Sequence, residues 1–221
     1  MFKVSHVAES IQGEHRTVNK DRYGFFSRDA TEFLVVMLDG VSSEANAKHG
    51  TRMAFTLFER EFMKGKVSDL RDLVLLANEK LKKSKYEGPY TTACLMHINI
   101  EQDPWIQFCS IGDTRGYVIT PSNIIQITED HVSKHAKNVL THCLGMQNIC
   151  KDEIFISEKM HGETFLVCTD GFYSIMEKSI PDFHSIFKNT RVNNFSKKLK
   201  NMLKGNNSDD ATYILVRIGN V

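Results

Sequence analysis

Six consecutive apolar residues, Phe33 to Leu38, run straight into Asp39-Gly40. A short apolar run closed by a turn-forming pair predicts a buried strand that stops abruptly and delivers Asp39 to the edge of a core. A carboxylate so placed is ready to hold a cation. The same grammar recurs in IQFCSIGD, ending at Asp113, in TFLVCTD, ending at Asp170, and in the pair Asp209-Asp210 that opens DDATYILVRI. Four strand ends, far apart along the chain, each present an acid.

The chain has 221 residues, which suits one domain with a full core, 1–221, and is small for two. Its 28 basic and 27 acidic side chains leave a net charge of +1, so there is no global attraction to nucleic acid or anionic lipid. Five cysteines, Cys94, Cys109, Cys143, Cys150 and Cys168, form no CxxC pair. Three lie inside apolar runs, where a thiol acts as a small hydrophobe, and a reduced, cytoplasmic setting is expected. MFKVSHVAES lacks an apolar signal core, and no apolar run approaches the roughly 20 residues of a membrane helix.

Periodicity predicts the rest in outline. An opening strand in FKVSHVAES leads into a polar loop, RTVNKD, and Tyr23 to Phe26 resumes as a strand. Phe55, Phe58 and Phe62 recur at helical spacing within a helix over 45–63, and a second helix follows Ser68 as N-cap, with Asp69 in its first turn. Its lysines, Lys80, Lys82, Lys83 and Lys85, form a solvated face rather than a nucleic-acid patch. TTACLMHINI, WIQFCSIGD and TRGYVIT are strands, and the short spacing of the last two suggests a hairpin-like excursion about Gly112-Asp113. Residues 131–151 are poorly patterned and predict a surface loop with a short helix. Helical spacing returns over 181–187 and through Phe195, Leu199, Met202 and Leu203, and TYILVRI closes the chain as a strand. Strands grouped between helix pairs predict an α+β layered domain, unlike the strict alternation of a parallel sheet.

Taken singly, an Asp-Gly pair is an ordinary turn former. Jointly, acids held at the ends of buried strands repel one another and lose hydration, and cations between them relieve both costs. Oxygen ligands without a supporting cysteine or histidine cluster favour Mg²⁺ or Mn²⁺ over zinc. Two such ions about 3.5 to 4 Å apart can share a bridging water and clamp a phosphoryl transfer. Arg16 is the best candidate to bind the phosphate, because a guanidinium takes two phosphate oxygens at once.

RTVNKD, VVMLDG, TTACL, IGDTRGYV, ITEDH, VLTHCLG, LVCTDG and NNSDDATYILV resemble, in order and over nearly the whole chain, the motifs of the metal-dependent protein serine/threonine phosphatases of the PPM type, also called type 2C. The resemblance implies a four-layer sandwich, two antiparallel sheets packed face to face and flanked by helix pairs. It implies that Asp39 bridges two metals, that the Gly40 carbonyl binds one, and that Asp170 and Asp209 complete the other. Asp113 with Asp170 forms a third, more weakly held site, and Arg16 binds phosphate. Asp21 lies in the Arg16 block, and Asp210 ranks below Asp209, its plain role being to fix the loop by hydrogen bonding.

Two departures stand out. Lys20 occupies the place of a glutamate that in many members reaches a metal through water, and such a lysine has the alternative of contacting phosphate. Val41 and Ser42 follow Asp-Gly where eukaryotic members carry a histidine proposed as general acid. His131 is read as structural, and no histidine receives a catalytic role. Residues 131–151 correspond to a short flap beside the site.

The resemblance implies hydrolysis of phosphoserine and phosphothreonine by a metal-bridged hydroxide, opposing a serine/threonine kinase, in a cytoplasmic monomer that binds neither nucleic acid nor membrane. The alternative, motivated by Lys20 and the missing histidine, is an impaired pseudophosphatase that binds phosphoproteins. A two-metal nuclease or nucleotide hydrolase is disfavoured by the near-neutral charge and the absence of a P-loop.

Overall fold

Among the described residues, twelve strands and five α-helices account for the apolar runs: β1 Phe2–Ile11, β2 Arg22–Ser27, β3 Glu32–Leu38, α1 Ala47–Met63, α2 Leu70–Lys82, β4 Ala93–Asn99, β5 Trp105–Ile111, β6 Arg115–Ile119, β7 Ile124–Gln126, β8 Val132–Ser133, β9 Ala136–Leu140, β10 Phe155–Ile156, β11 Thr164–Cys168, α3 Asp170–Met176, α4 Ile180–Asn189, α5 Val192–Leu203 and β12 Ala211–Asn220. This is a computed structural model that describes residues 2–65, 69–189 and 192–220. Two five-stranded sheets have the orders β1-β12-β11-β6-β7 and β10-β5-β4-β3-β2, and their pairings are antiparallel.

The uninterrupted apolar character of β3 follows from burial on both faces. Val35 and Met37 meet Phe165, Val167, Ile214 and Val216 in a core between the sheets. Leu34, Val36 and Leu38 point the other way, against Phe58, Phe62, Leu73 and Val74 of α1 and α2. The other sheet does the same: Leu166, Cys168, Tyr213 and Leu215 pack on Phe172, Phe183, Phe195 and Leu199 of α3, α4 and α5. Helices, sheet, sheet and helices therefore form the four expected layers.

Four local expectations change. β5 and β6 are not a hairpin: β5 pairs with β4 and β10, whereas β6 pairs with β11 and β7 in the opposite sheet. The chain crosses between sheets at Gly112, whose φ of +99° suits glycine and where a Cβ would lie 2.5 Å from the Thr92 side chain. A 2.5 Å contact between the Thr114 and Thr92 hydroxyls ties the crossing down. A short spacing between strands cannot distinguish that crossing from a hairpin. In the flap, the β8–β9 pair takes the place of the expected short helix, and a single 3₁₀ turn comes only at Lys151–Glu153. Asp69 is itself the N-cap of α2, accepting from the Arg71 N–H at 2.9 Å; Ser68 lies outside the described residues. Last, α3 begins at Asp170 directly where β11 ends, so the TFLVCTD run leads straight into a helix.

That strand-to-helix corner is tight. A Cβ on Gly171 would fall 2.1 Å from the Asp210 carbonyl oxygen. Gly171→Ala is therefore expected to destabilise the fold by about 1 to 3 kcal/mol, read from the urea midpoint, because the crowding is against backbone. Among the described residues no helix is long and apolar enough to cross a membrane.

Candidate metal and phosphate site

The registers bring the acid-bearing ends to one edge of the sandwich. Ile11 pairs with Ala211, Cys168 with Tyr213 and Arg115, Met37 with Cys94, and Ala93 with Ile111. The residues just beyond these pairs include Gln12, Asp39, Gly112, Thr169 and Asp210. Asp39, Asp113, Asp170 and Asp209 all retain partial exposure, as do Arg16, Lys20 and Asp21 from the loop between β1 and β2, while Asp210 is buried.

The backbone of Asp39 is rigidly held. Its N–H donates to the Thr92 hydroxyl at 3.3 Å, and its carbonyl accepts from the Thr92 N–H and the Thr91 hydroxyl, both at 2.8 Å. Gly40 is closely packed: an added Cβ would sit 3.0 Å from Lys20 Cβ and 3.1 Å from Ala47 Cβ.

The electrostatics show that these carboxylates crowd one another. Asp39 is densely surrounded by protein, and this loss of hydration, followed by repulsion from Asp21, Asp170, Asp113 and Asp209, drives its pKa well above the usual carboxylate range. Burial and then the charge of Asp170 raise Asp113 to about 7. Asp170 is raised by burial and by Asp209, an effect opposed by its hydrogen bond with Asp39. Asp21 rises to about 8, chiefly through burial, although the Thr212 and Thr169 hydroxyls donate to its Oδ2 at 2.6 and 3.0 Å. Asp21 Oδ1 is buried without a partner.

The loop residues are engaged differently. Arg16 grips Asp209 with two donors, Nε to Oδ1 at 2.7 Å and Nη2 to Oδ2, and Nη2 also donates to the Ser42 hydroxyl at 2.7 Å. Asp210 fastens the loop, its Oδ1 accepting from Gly13 N–H at 2.9 Å and its Oδ2 from Lys20 N–H at 2.8 Å. The Lys20 ammonium donates to the carbonyls of Ser42 and Glu44 at 2.8 and 2.9 Å. His131 takes a structural bond, its Nδ1 accepting from Gly112 N–H at 3.1 Å.

Among the described residues no three carboxylate, imidazole or thiol groups form a closed metal cluster. The donors nevertheless suit a hard divalent cation: oxygen ligands, mutual repulsion that raises their proton affinity, and a buried oxygen with no partner on Asp21. Sequence reasoning missed the threonine hydroxyls of Thr91, Thr92, Thr169 and Thr212 that hold Asp39 and Asp21. Only Thr169, next to Asp170, adjoins an acid in the sequence; Thr91 and Thr92 reach Asp39 from a distant strand end.

The sequence profile described as Protein phosphatase 2C matches residues 13–204. The chain belongs to the protein phosphatase 2C family. It is accordingly a metal-dependent protein phosphatase of α+β fold. Its curated relatives include the serine/threonine phosphatase stp of Listeria welshimeri, 21% identical over 212 residues that cover 81% of both chains. Among solved structures, the serine/threonine phosphatase Stp1 from Staphylococcus aureus superposes with a TM-score of 0.78 at 20% identity, covering 100% of this chain and 96% of that one. The catalytic domain of the serine/threonine protein phosphatase PstP, solved with two manganese ions, gives 0.74 at 16% identity over 100% of both chains. RsbX in complex with magnesium gives 0.72 at 21% identity, covering 99% of this chain and 100% of that one.

Proposed function

We propose that the protein hydrolyses phosphoserine and phosphothreonine in phosphoproteins, acting as a cytoplasmic monomer opposed to a serine/threonine kinase. The observation that carries this reading is the convergence of Asp39, Asp113, Asp170 and Asp209 with Arg16 on one sheet edge. Asp39 and the Gly40 carbonyl, with Asp170 and Asp209, would hold two Mn²⁺ or Mg²⁺ ions, and Asp113 with Asp170 a third, weaker one. Such ions, when bound, lower the pKa of water and neutralise phosphoryl oxygens.

The chain's own groups do the rest. The Thr91 and Thr92 bonds fix the Asp39 backbone, so its carboxylate is presented without the cost of ordering a loop. Arg16 exchanges Asp209 for two phosphate oxygens and orients the phosphoryl group for attack by water from the acid-lined side. Asp210 holds the loop that carries Arg16 and Lys20 through the Gly13 and Lys20 N–H groups.

Phosphate release from a phosphothreonine peptide is expected to require Mn²⁺ or Mg²⁺, to stop on chelation and to return with excess cation. Turnover that persists after exhaustive chelation overturns the reading. An oligonucleotide and a nucleotide assayed under the same conditions should be hydrolysed far more slowly than the peptide.

A further inference from the structure

Two cationic side chains converge on Ser42. Lys20 Nζ donates to its carbonyl oxygen at 2.8 Å, and Arg16 Nη2 donates to its hydroxyl at 2.7 Å. The carbonyl and hydroxyl oxygens of one serine lie only about 3 to 5 Å apart by standard bond lengths. Ammonium and guanidinium thus both reach the same residue, one at its carbonyl and one at its hydroxyl. Ser42 is exposed, and Lys20 and Arg16 are each partly so, which leaves this rim open to a ligand.

The two charges are not equivalent. Arg16 is ion-paired with Asp209, whereas among the described residues the Lys20 ammonium has only the Ser42 and Glu44 carbonyls as partners and no carboxylate. Carbonyls satisfy hydrogen bonds without cancelling a unit charge. An ammonium has three N–H donors, so one remains for an incoming acceptor. Lys20 thus places a compact positive charge at the Ser42 and Glu44 carbonyls that, among the described residues, is in no ion pair.

We propose that Lys20 is a second phosphate-contacting residue, its ammonium and the Arg16 guanidinium gripping the substrate phosphoryl group about Ser42. This rests on the phosphatase reading for the identity of the substrate, but the phosphate contact can be measured without turnover. The bonds to Ser42 and Glu44 hold the ammonium in place before the ligand arrives, so little side-chain freedom is lost on binding.

The test is binding of inorganic phosphate to the magnesium-loaded protein by calorimetry. Lys20→Met is expected to weaken phosphate binding about tenfold or more, and Lys20→Arg to stay within about threefold of the parent, as for loss and retention of one charge-assisted hydrogen bond. In turnover the Lys20→Met effect should fall mainly on KM. Phosphate bound as tightly by Lys20→Met as by the parent overturns the proposal. A second readout needs no variant: with ¹⁵N-labelled lysine, the Lys20 ammonium signal should shift as phosphate is added, and an unmoved signal at saturation overturns it equally. A Lys20 shift in a protein inert toward every phosphopeptide sinks the phosphatase reading and leaves this phosphate site standing. Turnover with phosphate binding indifferent to Lys20→Met does the reverse.

Discussion

Asp39→Asn is expected to lower phosphopeptide turnover by about three orders of magnitude while making the metal-free protein more stable. The two effects have one cause. Asp39 is the carboxylate on which the repulsion of Asp21, Asp170, Asp113 and Asp209 converges, in surroundings that already penalise its charge. An amide of the same shape removes that repulsion, and a gain of about 1 to 3 kcal/mol in chelator is expected from the urea midpoint. The same amide is a poor ligand for a hard cation, and losing several kcal/mol of charge stabilisation at the reacting centre corresponds to about 10³ in rate. The stability gain should vanish in saturating Mn²⁺, where the native carboxylate is matched by its cation. A metal-free Asp39→Asn protein that is less stable than the parent would show that the acids are not held in mutual repulsion.

The second large effect is a stability that falls with rising pH in chelator and is restored by cation. Asp21 and Asp113 have folded-state values of about 8 and 7, raised from 3.8, and Asp39 and Asp170 move in the same direction. A carboxyl group with a raised folded-state pKa holds its proton more tightly in the native protein than in the unfolded one. Its contribution is therefore intact below pH 3.8 and is lost progressively as pH climbs through the folded values near 7 and 8. Between pH 5 and pH 8 the metal-free protein should lose several kcal/mol, measured as a falling urea midpoint. Magnesium competes with those protons, so its stabilising effect should grow over the same interval. A chelated protein that is more stable at pH 8 than at pH 5 would contradict the crowding of these acids.

Most strands and helices, and the α+β class, are legible from local pattern, while the face-to-face sandwich follows only from the family resemblance. The apolar Phe33–Leu38 run closed by Asp-Gly predicts a buried strand, and it is buried on both faces: by the other sheet on one side, by α1 and α2 on the other. The α1 period was equally plain, the helix running from Ala47 to Met63 against an expectation of 45–63. What failed were features that depend on which strands become neighbours. IQFCSIGD and TRGYVIT carry the same apolar pattern whether they pair with each other or, as here, belong to opposite sheets. The poorly patterned flap formed the β8–β9 pair because cross-strand contacts, absent from any local window, supply its order.

Of the candidate site, the acids stand out in the chain, since a carboxylate at the end of a buried strand is a local signature. Their partners do not. Nothing in RTVNKD says that Arg16 pairs with Asp209, that the Lys20 ammonium takes the carbonyls of Ser42 and Glu44, or that the Asp21 carboxylate is held by Thr169 and Thr212. The amino-acid order alone determined the alternation of buried runs, the identity of the acids and the layered class, because each is set by the periodicity of burial over a few residues. Tertiary structure alone decided the sheet assignments, the convergence of the acids and the contacts of Arg16 and Lys20 with Ser42. Those depend on Coulomb and hydrogen-bond contacts a few ångströms long between residues that the chain itself holds far apart.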